Sequence, residues 1–201
     1  MDFHANVITH DTSYAQAKAL LEATTTAVSK SNAASRAMQM GRFEESIALH
    51  REALEIKLRA YSESSIQAAI TYNGLGEAFL RAGRLEEADE VLHKALVVRE
   101  RDGPNLDAAA TRENIGALRE AQGRFAEARD VRLRGAEKGH MLCSNEHCSK
   151  IGMLPRNQLS TCAACQAPFY CGKDCQVRDW RERHKPLCKA HTSKGASVKP
   201  V

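Results

Sequence analysis

All seven cysteines of this chain lie between Cys143 and Cys188, a window of 46 residues, and none lies in the 142 residues before it. They fall into short-spaced pairs: Cys143 with Cys148, Cys162 with Cys165, Cys171 with Cys175, and Cys188 with His184 four residues before it. Zinc takes four tetrahedral ligands from thiolate and imidazole, so eight such groups make two sites, one with four cysteines and one with three cysteines and a histidine. Each short spacer lets both side chains of a pair reach one ion. Two orders of assembly are open: successive pairs each close a site, or alternate pairs share one. Only five residues separate Cys165 from Cys171, so the two ions lie close together in either case. The interleaved order is favoured, with Cys143, Cys148, Cys171 and Cys175 on the first zinc and Cys162, Cys165, His184 and Cys188 on the second. Interleaving ties the window into one unit, which a stretch this poor in apolar residues needs, because small domains without a large core depend on metals or disulfides. His147, beside Cys148, is within reach of the first site as a competitor. Like His140 and His191, which flank the window, it is read as a bystander.

From Tyr170 to Lys189 the chain reads YCGKDCQVRDWRERHKPLCK. This resembles the second half of a MYND zinc finger, whose pattern runs Cys pair, Cys pair, C-x3-C, a short helix and H-x3-C. The chain departs from the pattern in its first pair, C-x4-C in place of C-x2-C, and in a longer spacer before Cys162. The resemblance implies a small interleaved two-zinc fold over residues 141–189, with a short hairpin and a helix. It also implies a peptide contact. Gln176 and Trp180 look like the positions that line a groove for proline-rich peptides in such fingers, and an indole offers a rigid apolar face to a polyproline II ligand. The competing reading is that Trp180, the only tryptophan, packs on the finger's own core. Both zinc sites would have four protein ligands and no open position, so the metals are expected to hold a fold and not to catalyse.

The rest of the chain is repetitive. GRFEESIALHREAL from Gly41 is echoed by GRLEEADEVLHKAL from Gly83 and by GRFAEARDVRLRGA from Gly123, at intervals of 42 and 40 residues. Self-similarity at this period marks a solenoid of supersecondary units. Each unit reads as a helical hairpin with its glycine at the turn, where positive φ is cheap only for Gly. Gly76, Gly116, Ala88, Ala95 and Ala128 are small residues at helical spacing that let helices approach, with Leu75, Phe79, Leu85, Val91, Leu92 and Leu96 filling the space between. Asn-Gly-Leu-Gly-Glu-Ala-Phe from Asn73, with the alanines that follow, resembles a tetratricopeptide repeat (TPR), and the long period resembles the variant of kinesin light chains. The fold class expected is therefore mostly α: a TPR-like helical-hairpin solenoid of about three repeats over 12–139, then the finger. A helix opens at Tyr14 behind a cap at Asp11, Thr12 or Ser13, with a break near Ser31. Residues 1–11 are expected to be flexible and 190–201 disordered. No capping helix follows the third repeat, so the zinc module is expected to cap the open end. Asn73, Glu77, Arg81, Asn114 and Arg119 are candidate concave-face residues.

Charge separates the parts only mildly. Residues 141–201 carry 10 Lys and Arg against 4 Asp and Glu, and residues 1–140 carry 19 against 21. Seven thiolates around two zinc ions remove much of the C-terminal excess, so nucleic acid is not the expected partner. Arg178, Arg181, Arg183 and Lys185 read as a solvated basic face. The N-terminus has neither a basic n-region nor an apolar h-region, and no 18-residue apolar run exists, so neither export nor a membrane span is expected. An odd cysteine count with metal-type spacing points to a reducing compartment, cytoplasm or nucleus. No small-molecule substrate is expected, since no P-loop, nucleophile elbow or Gly-rich cofactor turn is found. The functional expectation is a non-enzymatic protein–protein interaction adaptor, its finger reading a short peptide and its repeats holding a second partner. One alternative is a RING-like ubiquitin ligase, against which the closing C-x3-C and H-x3-C order speaks. The other is a fragment of a MYND/SET-type protein methyltransferase, for whose catalytic domain this stretch leaves no room.

Overall fold

A computed structural model describes residues 3–150 and 152–195. Six helices form three hairpins: α1 (Phe3–Gln39) with α2 (Phe43–Leu58), α3 (Ile66–Arg81) with α4 (Leu85–Asp102), and α5 (Asn105–Ala121) with α6 (Phe125–Leu133). Among the described residues, no helix is long and apolar enough to cross a membrane.

One local device makes all three turns. Gly41, Gly83 and Gly123 have φ of +72°, +76° and +76°. The amide after each glycine then reaches back five residues: Arg42 to the Ala37 carbonyl at 2.9 Å, Arg84 to Phe79 at 2.9 Å and Arg124 to Arg119 at 2.7 Å. These bonds satisfy carbonyls that the helix end would otherwise orphan. The same arginines pair with the glutamate three residues on, Arg42 with Glu45 at 2.9 Å, Arg84 with Glu87 at 2.6 Å and Arg124 with Glu127 at 2.5 Å. The repeated Gly-Arg-x-x-Glu is thus a stop signal and a start signal in one.

Close packing follows from the small residues. A Cβ on Gly76 would stand 2.5 Å from Leu92 Cγ, and one on Gly116 would stand 2.5 Å from the Arg132 guanidinium, so both glycines admit the facing helix. Leu75, Phe79, Ala88, Val91, Leu92, Ala95 and Leu96 form the core with Ile47, Tyr72, Ile115, Leu118 and Val131, and Leu85 lies at its edge. A repeated polar contact ties one hairpin to the next. Lys57 Nζ donates to Thr71 at 2.7 Å, and Arg99 Nη1 donates to Thr111 at 2.9 Å at the equivalent positions one repeat later.

Two expectations at the chain ends are corrected. Residues 3–11 belong to α1, which starts upstream of the proposed cap and runs through Ser31 without a break. Thr24, Thr25 and Thr26, which weaken a helix on propensity, return their hydroxyls to the carbonyls of Leu20, Leu21 and Glu22 and stay in the helix. At the other end, residues 190–195 continue α8 (Lys185–Gly195), and 196–201 lie outside the described residues.

The C-terminal region has little regular structure before residue 160. Met141 bridges Leu154, and β1 (Ser160–Thr161) pairs antiparallel with β2 (Phe169–Tyr170) in the register Ser160–Tyr170 and Thr161–Phe169. Then α7 (Lys173–Asp179) passes through one wide turn at Trp180–His184 into α8. This region packs on α5 and α6. Phe125 and Ala128 meet Ala167, Cys165 and Leu187, and Leu133 meets Met141, Leu159 and Phe169. His191 stacks on Phe125 with ring centroids 4.2 Å apart. The open end of the solenoid is therefore covered by the cysteine-rich region.

Candidate functional site

The hairpin β1–β2 carries the central part of the site. Cys162 and Cys165 flank the turn that leaves β1, Cys171 follows β2, and Cys175 sits one turn into α7. His184 ends the wide turn, and Cys188 lies one turn into α8. The wider first pair is accommodated by a local turn. The Cys148 amide donates to the Asn145 carbonyl at 2.9 Å, and Asn145 Oδ1 accepts from the His147 amide at 3.2 Å. Ser144 binds Phe169 in both directions, its amide to the Phe169 carbonyl at 2.7 Å and its Oγ to the Phe169 amide at 3.0 Å. Four residues between Cys143 and Cys148 therefore suffice to keep both thiols on one side.

All eight ligands come together as two groups in the interleaved order. Cys143, Cys148, Cys171 and Cys175 form one, and Cys162, Cys165, His184 and Cys188 the other, with the donor atoms of each group within 4.8 Å of one another. A tetrahedron with zinc–sulfur bonds of about 2.3 Å has edges of about 3.8 Å. The observed edges match: 3.5 Å from Cys148 to Cys171, 3.6 Å from Cys171 to Cys175 and 3.9 Å from Cys162 to Cys188. The edge from Cys165 Sγ to His184 Nε2 is 3.3 Å, shorter as a nitrogen ligand requires. The donor chemistry and spacing thus fit two zinc ions, which would cross-link the hairpin, the loop before it and the helices after it. Burial pushes the Cys143 thiol up. At Cys162 burial acts in the same direction, but hydrogen bonds from the Cys165 amide and His184 outweigh it and bring the thiol down to about 7.

His147 does not join the first group. It is exposed, with Nε2 at 3.2 Å from Glu146 and 3.8 Å from Glu182.

The second group has a surrounding that sequence reading missed. Glu120, on α5, is fully buried. Its Oε1 accepts from Arg132 at 2.6 Å, and its Oε2 accepts from Arg183 at 3.0 Å and from His184 Nδ1 at 3.0 Å. Burial alone would raise the Glu120 carboxyl, but Arg132, His184 and Arg183 hold it well below the usual carboxylate range. Arg183 also binds Asp179 at 2.8 and 2.9 Å, and Asp179 accepts from the Tyr170 hydroxyl at 2.7 Å. Arg183 is therefore no part of a solvated basic face, and Arg178 is paired with Glu182 at 3.1 Å. A signal existed in the repeats. Counted from the turn glycine, Glu120 stands three residues before it where the second repeat has Leu80, and Arg132 stands nine after it where that repeat has Leu92.

Gln176 and Trp180 lie one turn apart on α7 and its continuation, both partly buried. Trp180 packs on Cys162, Tyr170 and Cys188 and meets the His184 ring edge-on at 5.8 Å and 62°. The shallow surface depression on the same helix is lined by Lys173, Asp174, Val177, Arg178, Arg181 and Glu182, not by these two residues.

A cavity of about 430 Å³ lies between the repeats and the cysteine-rich region, with Glu77, Arg81 and Asn114 on one side and Ser144, Asn145 and Glu146 on the other. Arg81 pairs with Glu146 across it. Burial pushes the Glu77 carboxyl above its ordinary value, with Arg81 opposing, and Glu77 has no ion-pair partner among the described residues. Asn73 and Arg119, the other two concave-face candidates, do not line it. Asn73 Oδ1 accepts from Asn114 Nδ2 at 3.2 Å, joining adjacent repeats. Arg119 is buried and bidentate on Asp89 at 2.5 and 2.9 Å, away from the cavity.

Comparison with known proteins agrees with this architecture. The family model described as MYND finger matches residues 143–188, and the model described as tetratricopeptide repeat matches 25–100 and 67–131. One relative is the Arabidopsis thaliana protein histone-lysine N-methyltransferase ASHR1, 44% identical over 41 residues, which is 20% of this chain and 8% of that protein. No solved structure matches. The repeat and finger modules make this a zinc-binding protein with a role in protein interaction. With repeats across more than half its length, the chain belongs to the tetratricopeptide-repeat family and carries a MYND zinc finger behind them.

Proposed function

We propose that the chain is a non-enzymatic adaptor whose finger holds a short, proline-rich peptide against Gln176 and Trp180 while its repeats hold a second protein. The observation that carries this reading is the setting of Trp180. The indole is backed by Tyr170, Cys162 and Cys188, all of the second zinc group or beside it, and by the His184 ring, so a metal-stapled wall fixes it. It remains partly open to solvent, one turn from Gln176. A rigid, half-open indole with an amide beside it suits a polyproline II ligand, which brings little conformational entropy to lose. Four protein ligands at each metal leave no position for a substrate or an activated water, which favours binding over catalysis. For the repeats, the cavity holding Glu77 and Asn114 is the surface of choice, and its unpaired carboxylate suits a cationic side chain of the partner. Zinc held largely by thiolates fits a reducing compartment, cytoplasm or nucleus.

The test is a titration of zinc-loaded protein with a labelled proline-rich peptide library, beside Trp180→Ala. Saturable binding that the substitution removes, with zinc content unchanged, is the expected result. Equal binding by both proteins, or by neither, would overturn the peptide-reading role.

The stretch of likeness to a histone-lysine methyltransferase favours a second reading, that the chain is a piece of a MYND/SET-type protein methyltransferase. Methyl transfer from S-adenosylmethionine to a histone substrate by the chain itself would establish that reading and displace the first.

A further inference from the structure

We propose that Glu120 is the outer partner of the zinc ligand His184, so that the repeats position the second zinc site and zinc at that site in turn holds the finger against the repeats. The inference rests on the reading of the finger as a two-zinc unit. A carboxylate oxygen only accepts hydrogen bonds, so the 3.0 Å contact places the proton on His184 Nδ1. A neutral ring then has its lone pair on Nε2, and Nε2 is the atom that faces Cys165 Sγ at 3.3 Å within the donor group. The solenoid thus selects the tautomer that ligates and fixes the plane of the ring, as outer partners of metal-bound histidines do.

The arrangement is specific to this end of the solenoid. Glu120 is 64 residues from His184 in sequence and belongs to another module. Its Oε1 faces Arg132 of the repeats, while its Oε2 is shared by two groups of the finger, Arg183 and His184. The equivalent positions of the earlier repeats carry Met38 and Leu80, which offer no acceptor. Loss of an outer partner typically weakens metal affinity about 10- to 100-fold. Linkage is reciprocal, so whatever Glu120 adds to zinc affinity, zinc adds to the docking of the finger on α5.

Competition with a chelator that resolves the two ions tests this on the full chain. In Glu120→Ala, one ion of the two is expected to bind about 10- to 100-fold more weakly and the other as in the parent chain. Glu120→Gln should lose less, because its amide oxygen still accepts from Nδ1–H without the charge. His184→Cys separates positioning from packing: a fourth thiolate keeps the site but removes the imidazole, and in that background Glu120→Gln should leave both affinities unchanged. An equal loss in both backgrounds would make Glu120 a packing residue and overturn the proposal, as would undiminished affinity for both ions in a folded Glu120→Ala. Where Glu120→Ala does not fold, Glu120→Gln in the two backgrounds decides by the same comparison. Hydrogen exchange supplies the reciprocal test. Removal of the weaker ion should lower the protection of α5 amides, and unchanged protection would refute the zinc-dependent docking. Failure of the two-zinc reading would show separately, as fewer than two ions in the parent chain.

Discussion

Gly76→Ala tests the packing on which the solenoid depends. The added Cβ would lie 2.5 Å from Leu92 Cγ, 2.6 Å from Leu92 Cδ2 and 3.2 Å from Val91 Cγ2. Leu92 is fully buried, so it cannot swing clear. Overpacking of this kind costs about 1–3 kcal/mol, while alanine in a helix interior recovers about 1 kcal/mol over glycine. The net is a loss of about 1 kcal/mol. Leu92→Ala alone should cost about 3 kcal/mol through lost burial and the cavity left behind. Combined, the two should not add. With Leu92 truncated, the methyl added by Gly76→Ala enters the space that Cγ and Cδ2 vacate, so the two shortest contacts disappear and the gain in helix propensity remains. Gly76→Ala should therefore destabilise the parent chain but stabilise the Leu92→Ala chain, with a coupling of about 1–3 kcal/mol. Urea unfolding followed by far-UV circular dichroism measures each corner of the cycle. Additivity within about 0.5 kcal/mol would refute the packing argument, as would a stabilising Gly76→Ala in the parent chain.

At the second turn, Gly83→Ala should cost about 1–2 kcal/mol although nothing lies within 4 Å of the new Cβ, because φ there is +76°. Asn at that position should cost less, and equal stability of the alanine and glycine chains in urea would contradict a strained turn. His50 is buried in the first hairpin, and burial, helped by Lys57, lowers its pKa from 6.5 to about 4. Its unfolded form binds the proton first, so stability should fall as pH drops from about 6.5 towards 4, by about 3 kcal/mol in all. His50→Asn should flatten that slope in a comparison of melting temperature against pH, and parallel slopes would remove His50 as the cause. Cys162→Ser should reduce zinc from two ions to one and disorder the finger while the repeat helices persist. Two ions by elemental analysis of that variant would sink the ligand assignment.

The repeats were legible because their information is local. Gly41, Gly83 and Gly123 sit in Gly-Arg-x-x-Glu units that end one helix and begin the next within five residues, and no distant contact is needed to read them. The zinc ligands were legible for the same reason, since paired cysteines declare their chemistry, although spacing alone left the order of pairing open. The continuity of α1 was not legible. Three consecutive threonines argue against a helix by propensity, and they stay in it with their hydroxyls on carbonyls four residues back. Glu120 escaped because Arg119-Glu120 in the last turn of a helix looks like a solvated pair. Its burial is decided by Arg132, Arg183 and His184, the last two of which arrive from more than 60 residues away. Arg183 was misread as surface charge for the same reason. The departure from the second repeat, Glu for Leu80 and Arg for Leu92, was visible in the alignment of the units and marks where the finger docks.

Two interleaved zinc sites that clamp the finger onto the last repeat are the centre of this architecture. Anomalous diffraction from crystals of the full chain at the zinc edge tests them most directly. Two peaks are predicted, one among the Sγ atoms of Cys143, Cys148, Cys171 and Cys175, the other among Cys162, Cys165, Cys188 and Nε2 of His184 with Glu120 behind its ring. A single ion, or a peak enclosed by Cys143, Cys148, Cys162 and Cys165, would contradict it.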